Sequence, residues 1–228
     1  MQVDALIPAL DEEDAIGPVV EGLTALGLRR IVVVDNGSTD ATAHRAQRAG
    51  AEVVSESRRG YGQACLTGLA YLGADPPDVV VFLDGDGADD PEDLPALLAP
   101  IRSGQAEFVV GSRVLGESEN GALTPVQVFG NWLSCRLVKL AFGADFTDLG
   151  PFRAIRWSSL ISLHMVDRDF GWTVEMQAKA ARRGLKCQEI PVRSRRRLAG
   201  QSKISGTIRG SFKAGTKILY TIGKVALR

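Results

Sequence analysis

Five short apolar runs rich in β-branched residues organise the first half of the chain, and the first four each lead into a stretch of helical character. ALIPA precedes a helix from about Glu12, RIVVVD one from Asp40, AEVVSE one from Gly62, and VVVFLD one from Pro91; EFVVGS is the fifth run. Strands this apolar have no polar face to offer water, so both faces must be covered, as in a parallel sheet between layers of helices. The alternation predicts an α/β fold with a mostly parallel central sheet flanked by helices. The helix starts carry their own signals: Ser38-Thr39-Asp40 offers caps, and Pro91 suits a first turn followed by Glu92 and Asp93. Ligands of open sheets collect outside the carboxyl ends of the strands. Asp35, Asp84 and Ser112 fall there.

After Ser112 the alternation stops. Residues 113–125 read as a polar, Gly-containing loop that can cover a site, followed by a helix from about Val126 to Phe142. GADFTDLGPFRAIRW leads into a short strand, a helix follows around Thr173 to Arg183, and KCQEIPVRSR is a last strand before a basic tail. No repeat or linker interrupts the chain. Its 228 residues, 45% hydrophobic, are enough to bury one sizeable core, so a single domain over 1–228 is expected, with a basic amphipathic segment at about 204–228.

The three cysteines, Cys65, Cys135 and Cys187, are widely spaced and form no C-x-x-C, which argues against a disulfide framework or a thiolate metal site. The N-terminus has no basic leader, and no apolar run approaches the roughly 18 residues of a membrane span. A cytoplasmic protein is expected. Formal charge is zero overall, yet Ile190 to Arg228 holds ten Lys or Arg and no Asp or Glu. Ile218, Leu219, Ile222 and Val225, with Ile204, Ile208 and Phe212 before them, recur near helical spacing among Arg209, Lys213, Lys217 and Lys224. That pattern suits peripheral contact with the cytoplasmic face of a membrane, or an ordinary helix packed on the core.

VVVFLDGDGADDPEDLP, Val79 to Pro95, carries the strongest chemical signal. Glu92 and Asp93 suit a helix N-terminus. Asp84 and Asp86 precede the helix at the mouth of a buried strand, where two carboxylates one residue apart repel each other unless a cation neutralises them. With only His44 and His164 in the chain, the expected ion is oxygen-liganded Mg²⁺ or Mn²⁺ held at Asp84 and Asp86. SRRGYGQA combines Gly60 and Gly62 with Arg58 and Arg59, a set suited to phosphate at a helix start and distinct from a Walker A loop.

Taken together, VVVDNGSTDATA, RRGYGQA, FLDGDGADDP, VVGSR and RRRLAGQSKISGT follow the order and spacing of family 2 glycosyltransferases of the GT-A fold, the nucleotide-diphospho-sugar transferase type. Among these the chain most resembles the dolichyl- and polyprenyl-phosphate sugar synthases, over nearly its full length. The resemblance implies an inverting, metal-dependent hexosyltransferase. Its donor is a nucleotide sugar, UDP-glucose or GDP-mannose, and its acceptor polyprenyl phosphate or another anionic compound.

By the same resemblance, Pro8 and Glu12 belong to the opening nucleotide-binding loop, where Leu10 stands in a position commonly aromatic. Asp35 would accept hydrogen bonds from the base, though Asp35 to Ser38 also reads as a simple turn. Arg59 and Gly60 would meet phosphate, and Asp84 and Asp86 the metal and diphosphate; Ala88 replaces a glutamine common in the lipid-phosphate enzymes, with Asp89 or water in its stead. Arg113 would assist at the leaving group. Asp148 is a general base for a hydroxyl acceptor, or an orienting group for a phosphate acceptor. Glu175 is a candidate facing sugar or acceptor, with a plain first-turn acid as its competitor, and Trp172 reads as core. Arg153 reads equally as a phosphate ligand or a solvated side chain. Arg197, Ser202 and Lys203 match the R-x-x-G-x-S-K segment that presents cations to phosphate oxygens.

Other readings remain open. The same donor chemistry can serve a small soluble acceptor. A sugar nucleotidyltransferase would need a Gly-rich basic signature after the first strand, which ALIPALDEEDA lacks. A non-catalytic module that uses the basic tail on nucleic acid is disfavoured by the acidic strand mouth, which repels a polyanion; no nucleic-acid partner is expected.

Overall fold

The structure, a computed structural model, describes residues 1–119, 121–198 and 208–227, with the side chains of 208–214 excepted. Ser202 and Lys203 lie outside the described residues, as do Ile204 and the side chains of Ile208, Arg209, Phe212 and Lys213.

The expected alternation is present: β1 (Val3–Ala9), α1 (Glu13–Ala25), β2 (Arg30–Asp35), α2 (Thr42–Arg48), β3 (Glu52–Ser55), α3 (Tyr61–Leu72), β4 (Val79–Phe82), a short 3-10 turn (Pro91–Asp93) into α4 (Leu94–Arg102), then β5 (Phe108–Ser112). The second half adds α5 (Pro125–Phe142), β6 (Arg153–Arg156), α6 (Trp157–Ser162), α7 (Trp172–Arg182), β7 (Cys187–Pro191) and α8 (Ile208–Ala226). The strands form one seven-stranded sheet in the order β3-β2-β1-β4-β6-β5-β7. It is mostly parallel. The exception is β6, which runs antiparallel to both β4 and β5, because the chain returns from the far end of α5 in the opposite direction.

The inner strands β1, β2, β4, β5 and β6 are buried on both faces, as their composition requires, whereas the edge strands β3 and β7 are only partly buried. One apolar layer joins Ile7, Val33, Val81 and Val109 to Ile16, Val20 and Leu23 of α1 and to Leu97, Leu98 and Ile101 of α4. The opposite layer joins Leu6, Val34, Val80 and Phe108 to α3, α5 and α7, and there Trp172 is buried beside Phe82 with ring centroids 6.2 Å apart. Sheet and helices thus hold the carboxyl ends of β1, β2 and β4 together at one edge, and the loops that leave this edge build the site.

Candidate active site

A cleft of about 480 Å³ opens at that edge. Pro8, Leu10 and Glu12 line it from β1 and the loop after it, Asn36 from the end of β2, Arg59, Gly60 and Tyr61 from the start of α3, and Asp84 and Asp86 from the end of β4. Asp169, Phe170 and Arg197 arrive from the second half of the chain. Seven residues singled out from sequence thus share one cavity: Pro8, Glu12, Arg59, Gly60, Asp84, Asp86 and Arg197.

Local hydrogen bonds explain why the loops hold their places. The loop before α1 is interlocked with the loop after β2: Asp11 N–H donates to Ser38 Oγ at 2.9 Å, Glu12 N–H to Thr42 Oγ1 at 2.7 Å, and Thr39 N–H to Asp11 Oδ1 at 2.7 Å. Ser38 and Thr42 therefore brace a neighbouring loop. Asn36 performs the same service for the β3–α3 loop, with Oδ1 accepting from Gly60 N–H at 2.8 Å and Nδ2 donating to the carbonyls of Glu56 and Arg58. No sequence signal beyond its place after Asp35 marked Asn36. Asp35 itself accepts the N–H of Ser38 at 3.1 Å, the turn geometry, and does not line the cleft.

Gly60 and Gly62 serve a purpose other than bare phosphate approach. A Cβ on Gly60 would lie 2.2 Å from the Arg168 carbonyl oxygen, and one on Gly62 2.2 Å from that of Asp167. Gly60 also takes φ +149°, which disfavours a side chain. The two glycines let the loop after α6 lie against the start of α3, where Gln63 N–H donates to Arg168 O at 3.0 Å. That contact brings Asp169 and Phe170 to the cleft.

The acidic strand end divides into two functions. Asp90, Glu92 and Asp93 are engaged by arginines: Arg193 pairs with Asp90 at 3.0 Å and with Asp93 at 2.9 Å, and Arg195 also pairs with Asp90. Backbone bonds from Arg195 N–H to Ala88 O and from Leu198 N–H to Asp86 O complete the docking of this segment along the acidic loop. Asp84, Asp86 and Asp89 remain as a group. Burial first, and then the neighbouring Asp86 charge, pushes the Asp84 carboxyl up to about 7. Burial, then Asp84 and Asp86, pushes Asp89 up to about 8. Burial and the Asp84 charge push the Tyr61 phenol up as well. Asp84 Oδ1 is out of solvent and has no hydrogen-bond partner among the described residues. Asp86 is met by Arg197, Nη1 to Oδ2 at 2.7 Å, while Arg197 Nη2 reaches Glu12 Oε1 at 2.5 Å.

These carboxylates fit a hard divalent cation. An orphaned buried oxygen on Asp84, a second carboxylate two residues on, and carboxyl groups driven toward protonation all describe a place short of positive charge. Among the described residues no three or more His, Cys, Asp or Glu side chains form a closed metal cage. Magnesium-type sites ordinarily use one or two carboxylates and complete their shell with water and substrate phosphate.

Four other candidates, Arg113, Asp148, Arg153 and Glu175, lie beside the cleft rather than in it. Asp148 is fully buried and saturated: Arg113 Nε donates to Oδ2 and Nη2 to Oδ1, both at 2.8 Å, and Arg113 N–H to Oδ2 at 2.9 Å. A carboxylate so occupied is an orienting group for Arg113, whose charge is also stabilised by the negative charges of Asp89 and Asp84. Glu175 is buried, accepts the N–H groups of Val166 and Asp167 and pairs with Lys179 at 2.7 Å, so it shapes the root of the loop that delivers Asp169. Arg153 is neither solvated nor at a phosphate position. Buried to 1% exposure, it donates to the carbonyls of Leu149, Gly150 and Thr173, and burial lowers it to about 10.

A cleft at the carboxyl edge of a mostly parallel α/β sheet, with paired carboxylates and a facing arginine, is the architecture of the GT-A fold. The family model "Glycosyl transferase family 2" matches residues 4–162, and the chain belongs to that family. An uncharacterised glycosyltransferase of Mycobacterium tuberculosis is 37% identical over 214 residues, 93% of this chain and 94% of that one. The undecaprenyl-phosphate mannosyltransferase of Micrococcus luteus is 30% identical over 92% of this chain and 90% of its own, and the dolichyl-phosphate hexose transferase of Haloferax volcanii 32% over 95% and 90%. Among solved structures, glucosyl-3-phosphoglycerate synthase of M. tuberculosis in complex with Mn²⁺, UDP-glucose and phosphoglyceric acid superposes with TM-score 0.77 at 24% identity, covering 97% of this chain and 80% of that one. The protein is a glycosyltransferase.

Proposed function

We propose that this glycosyltransferase moves a hexose from a nucleotide diphosphate sugar, UDP-glucose or GDP-mannose, to polyprenyl phosphate with inversion, using a divalent cation. The observation that carries the donor half is the convergence of Asp84 and Asp86 with Arg59, Glu12 and Arg197 around one cleft. The acceptor half is supported by relatives named for undecaprenyl and dolichyl phosphate that align over nine-tenths of the chain.

In this reading Pro8, Glu12 and Asn36 at the end of β2 frame the nucleoside, and Arg59 with Gly60 meets its phosphates. Asp84 and Asp86 hold Mg²⁺ or Mn²⁺, which when bound neutralises charge on the departing diphosphate. Arg197 exchanges its carboxylate partners for phosphate oxygens, and Ser202 and Lys203, which lie outside the described residues, are further phosphate ligands in this proposal on the resemblance of their segment. Arg113, fixed by Asp148, supplies fixed positive charge next to the acidic group. A phosphate acceptor is already anionic, so no side chain need take a proton from it, which agrees with Asp148 being saturated. Glu175 acts by holding the loop of Asp169 and Phe170 against α3.

The solved neighbour binds a soluble phosphorylated acceptor, but at that identity its likeness speaks for the fold, so the weight falls on the relatives by sequence. Calorimetric titration with UDP, GDP, UDP-glucose and GDP-mannose, each with Mn²⁺ and with chelator, tests the donor half. Metal-dependent binding of one nucleotide is expected; binding of none of them, or binding of all alike with and without metal, would sink it.

A further inference from the structure

Helix α5 presents apolar side chains on two sides. Cys135 and Val138 face the core. On the outer surface of the helix Val128, Phe129, Trp132 and Leu140 are exposed, Phe129 at 61% and Trp132 at 55%, with the two rings 5.9 Å apart. At about 100° per residue these four share a face roughly 120° wide with Arg136 and Lys139. Lys139 pairs with Asp145, while Arg136 makes no ion pair or hydrogen bond among the described residues. Helix α8 packs against α5 and continues the chemistry, with Tyr220 exposed and Lys224 over its ring at 6.0 Å. Neither helix contains an Asp or Glu.

Charge decides what covers such a face. The core of a protein–protein interface is depleted in charge, and a second copy docked face to face across a two-fold axis would bring Arg136 against Arg136 or against another acid-free helix. Aromatic rings interleaved with cations, on helices that carry no acid of their own, are what a segment needs to lie at the headgroup level of an anionic bilayer. The position is also apt. Asn131, between Phe129 and Trp132, donates to Thr147 O at 2.9 Å and accepts from Leu149 N–H at 2.8 Å. These residues lead into the start of β6, which pairs with the far end of β4, Arg153 opposite Phe82. The exposed aromatics therefore stand at the same end of the sheet as the cleft.

The geometry points to the exposed face of α5, centred on Phe129 and Trp132, as the surface on which this protein sits on an anionic lipid bilayer. The inference rests on the lipid-phosphate reading of the acceptor, because a soluble acceptor gives such a surface no task. A bilayer docked there sets the cleft beside the headgroup layer, where a prenyl phosphate presents its phosphate.

Vesicle flotation of the full chain at low salt tests it, with phosphatidylcholine vesicles and with vesicles holding about one-third phosphatidylglycerol. Wild-type protein is expected to float with the anionic vesicles, at least about tenfold more than with neutral ones. Phe129→Ser with Trp132→Ser is expected to lower that binding about tenfold or more, and Arg136→Glu, which keeps the apolar face, about fivefold. Arg136 is exposed and has no ion pair or hydrogen bond among the described residues, so this second variant serves should the double variant fail to fold. Wild type that stays unbound, variants that float like wild type, or a wild-type dimer in light scattering that the double variant dissolves would each overturn the surface. Transfer to a short, water-soluble prenyl phosphate without vesicles separates the two ideas. Transfer without vesicle binding refutes the surface alone, whereas vesicle binding without transfer to any prenyl phosphate refutes the acceptor reading and upholds the surface.

Discussion

Arg197 meets Asp86 at 2.7 Å, Nη1 to Oδ2, and with its other terminal nitrogen holds Glu12, so one guanidinium ties the end of β4 to the start of α1. Without a metal, this arginine supplies positive charge that the Asp84–Asp86 group lacks. Asp86→Ala is expected to abolish metal-dependent nucleotide binding and turnover. Stability should change by only about 1 kcal/mol, because Arg197 is partly exposed and keeps Glu12. Calorimetry with Mn²⁺ and nucleotide reads the first effect and thermal melting the second.

Asp148 and Arg113 predict a different balance. Their pair is buried at the carboxylate and joined by three hydrogen bonds. Removing one partner strands the other, at a cost of about 3–5 kcal/mol for a buried pair. Asp148→Ala should lower the melting temperature by about 10 °C, at roughly 2–4 °C per kcal/mol for a chain of this size. Asp148→Asn, which keeps the shape but loses charge, should fall between the two. Were Asp148 a proton acceptor instead, Asp148→Asn would abolish turnover with little loss of stability.

The acidic group also sets a pH dependence. Asp84 and Asp89 are pushed up to about 7 and about 8 in the folded protein, against an ordinary carboxyl near 4 in the unfolded chain. Between these values the folded state binds more protons than the unfolded one, so stability from these groups is complete below about pH 4 and is lost as pH rises through about 7–8. A divalent cation replaces the missing protons. Mn²⁺ should therefore raise the melting temperature more at about pH 8 than at about pH 5, and an equal rise at both would contradict the placement of the ion on these carboxylates.

Gly60→Ala and Gly62→Ala should each push away the backbone of residues 167 and 168, since the added carbon would sit 2.2 Å from a carbonyl oxygen. A loss of about 1–3 kcal/mol is expected from overpacking, together with a raised KM for the donor as Asp169 and Phe170 leave the cleft. A variant that melted like wild type with an unchanged KM would show that this contact does not shape the site.

Much of this was legible in the chain, for identifiable reasons. VVVFLD, RIVVVD and EFVVGS could only be buried strands, and Asp84 after such a strand had to stand at the sheet edge. The antiparallel β6 was not legible, because RAIR is short and its direction is fixed only by where α5 ends. Sequence divided the acids only in part: Glu92 and Asp93 read as first-turn acids, but nothing in the chain showed that Asp90 and Asp93 also dock Arg193 and Arg195, an ion-pair match across a hundred residues of chain. Gly60 and Gly62 announced close approach without saying by what. Asn36 gave no sign, since an amide that pins a loop resembles any turn residue. Glu175 and Asp148 carry the right chemistry, but only the folded chain shows their oxygens already engaged.

The most direct measurement is transfer itself. Purified protein would be incubated with Mn²⁺, radiolabelled UDP-glucose or GDP-mannose, and either polyprenyl phosphate or a soluble phosphorylated acceptor, followed by partition into organic solvent. The account predicts label in the organic phase with one of the two donors, lost with chelator and in Asp86→Ala. Label found only on the soluble acceptor, or transfer to lipid that persists in Asp86→Ala, would contradict it.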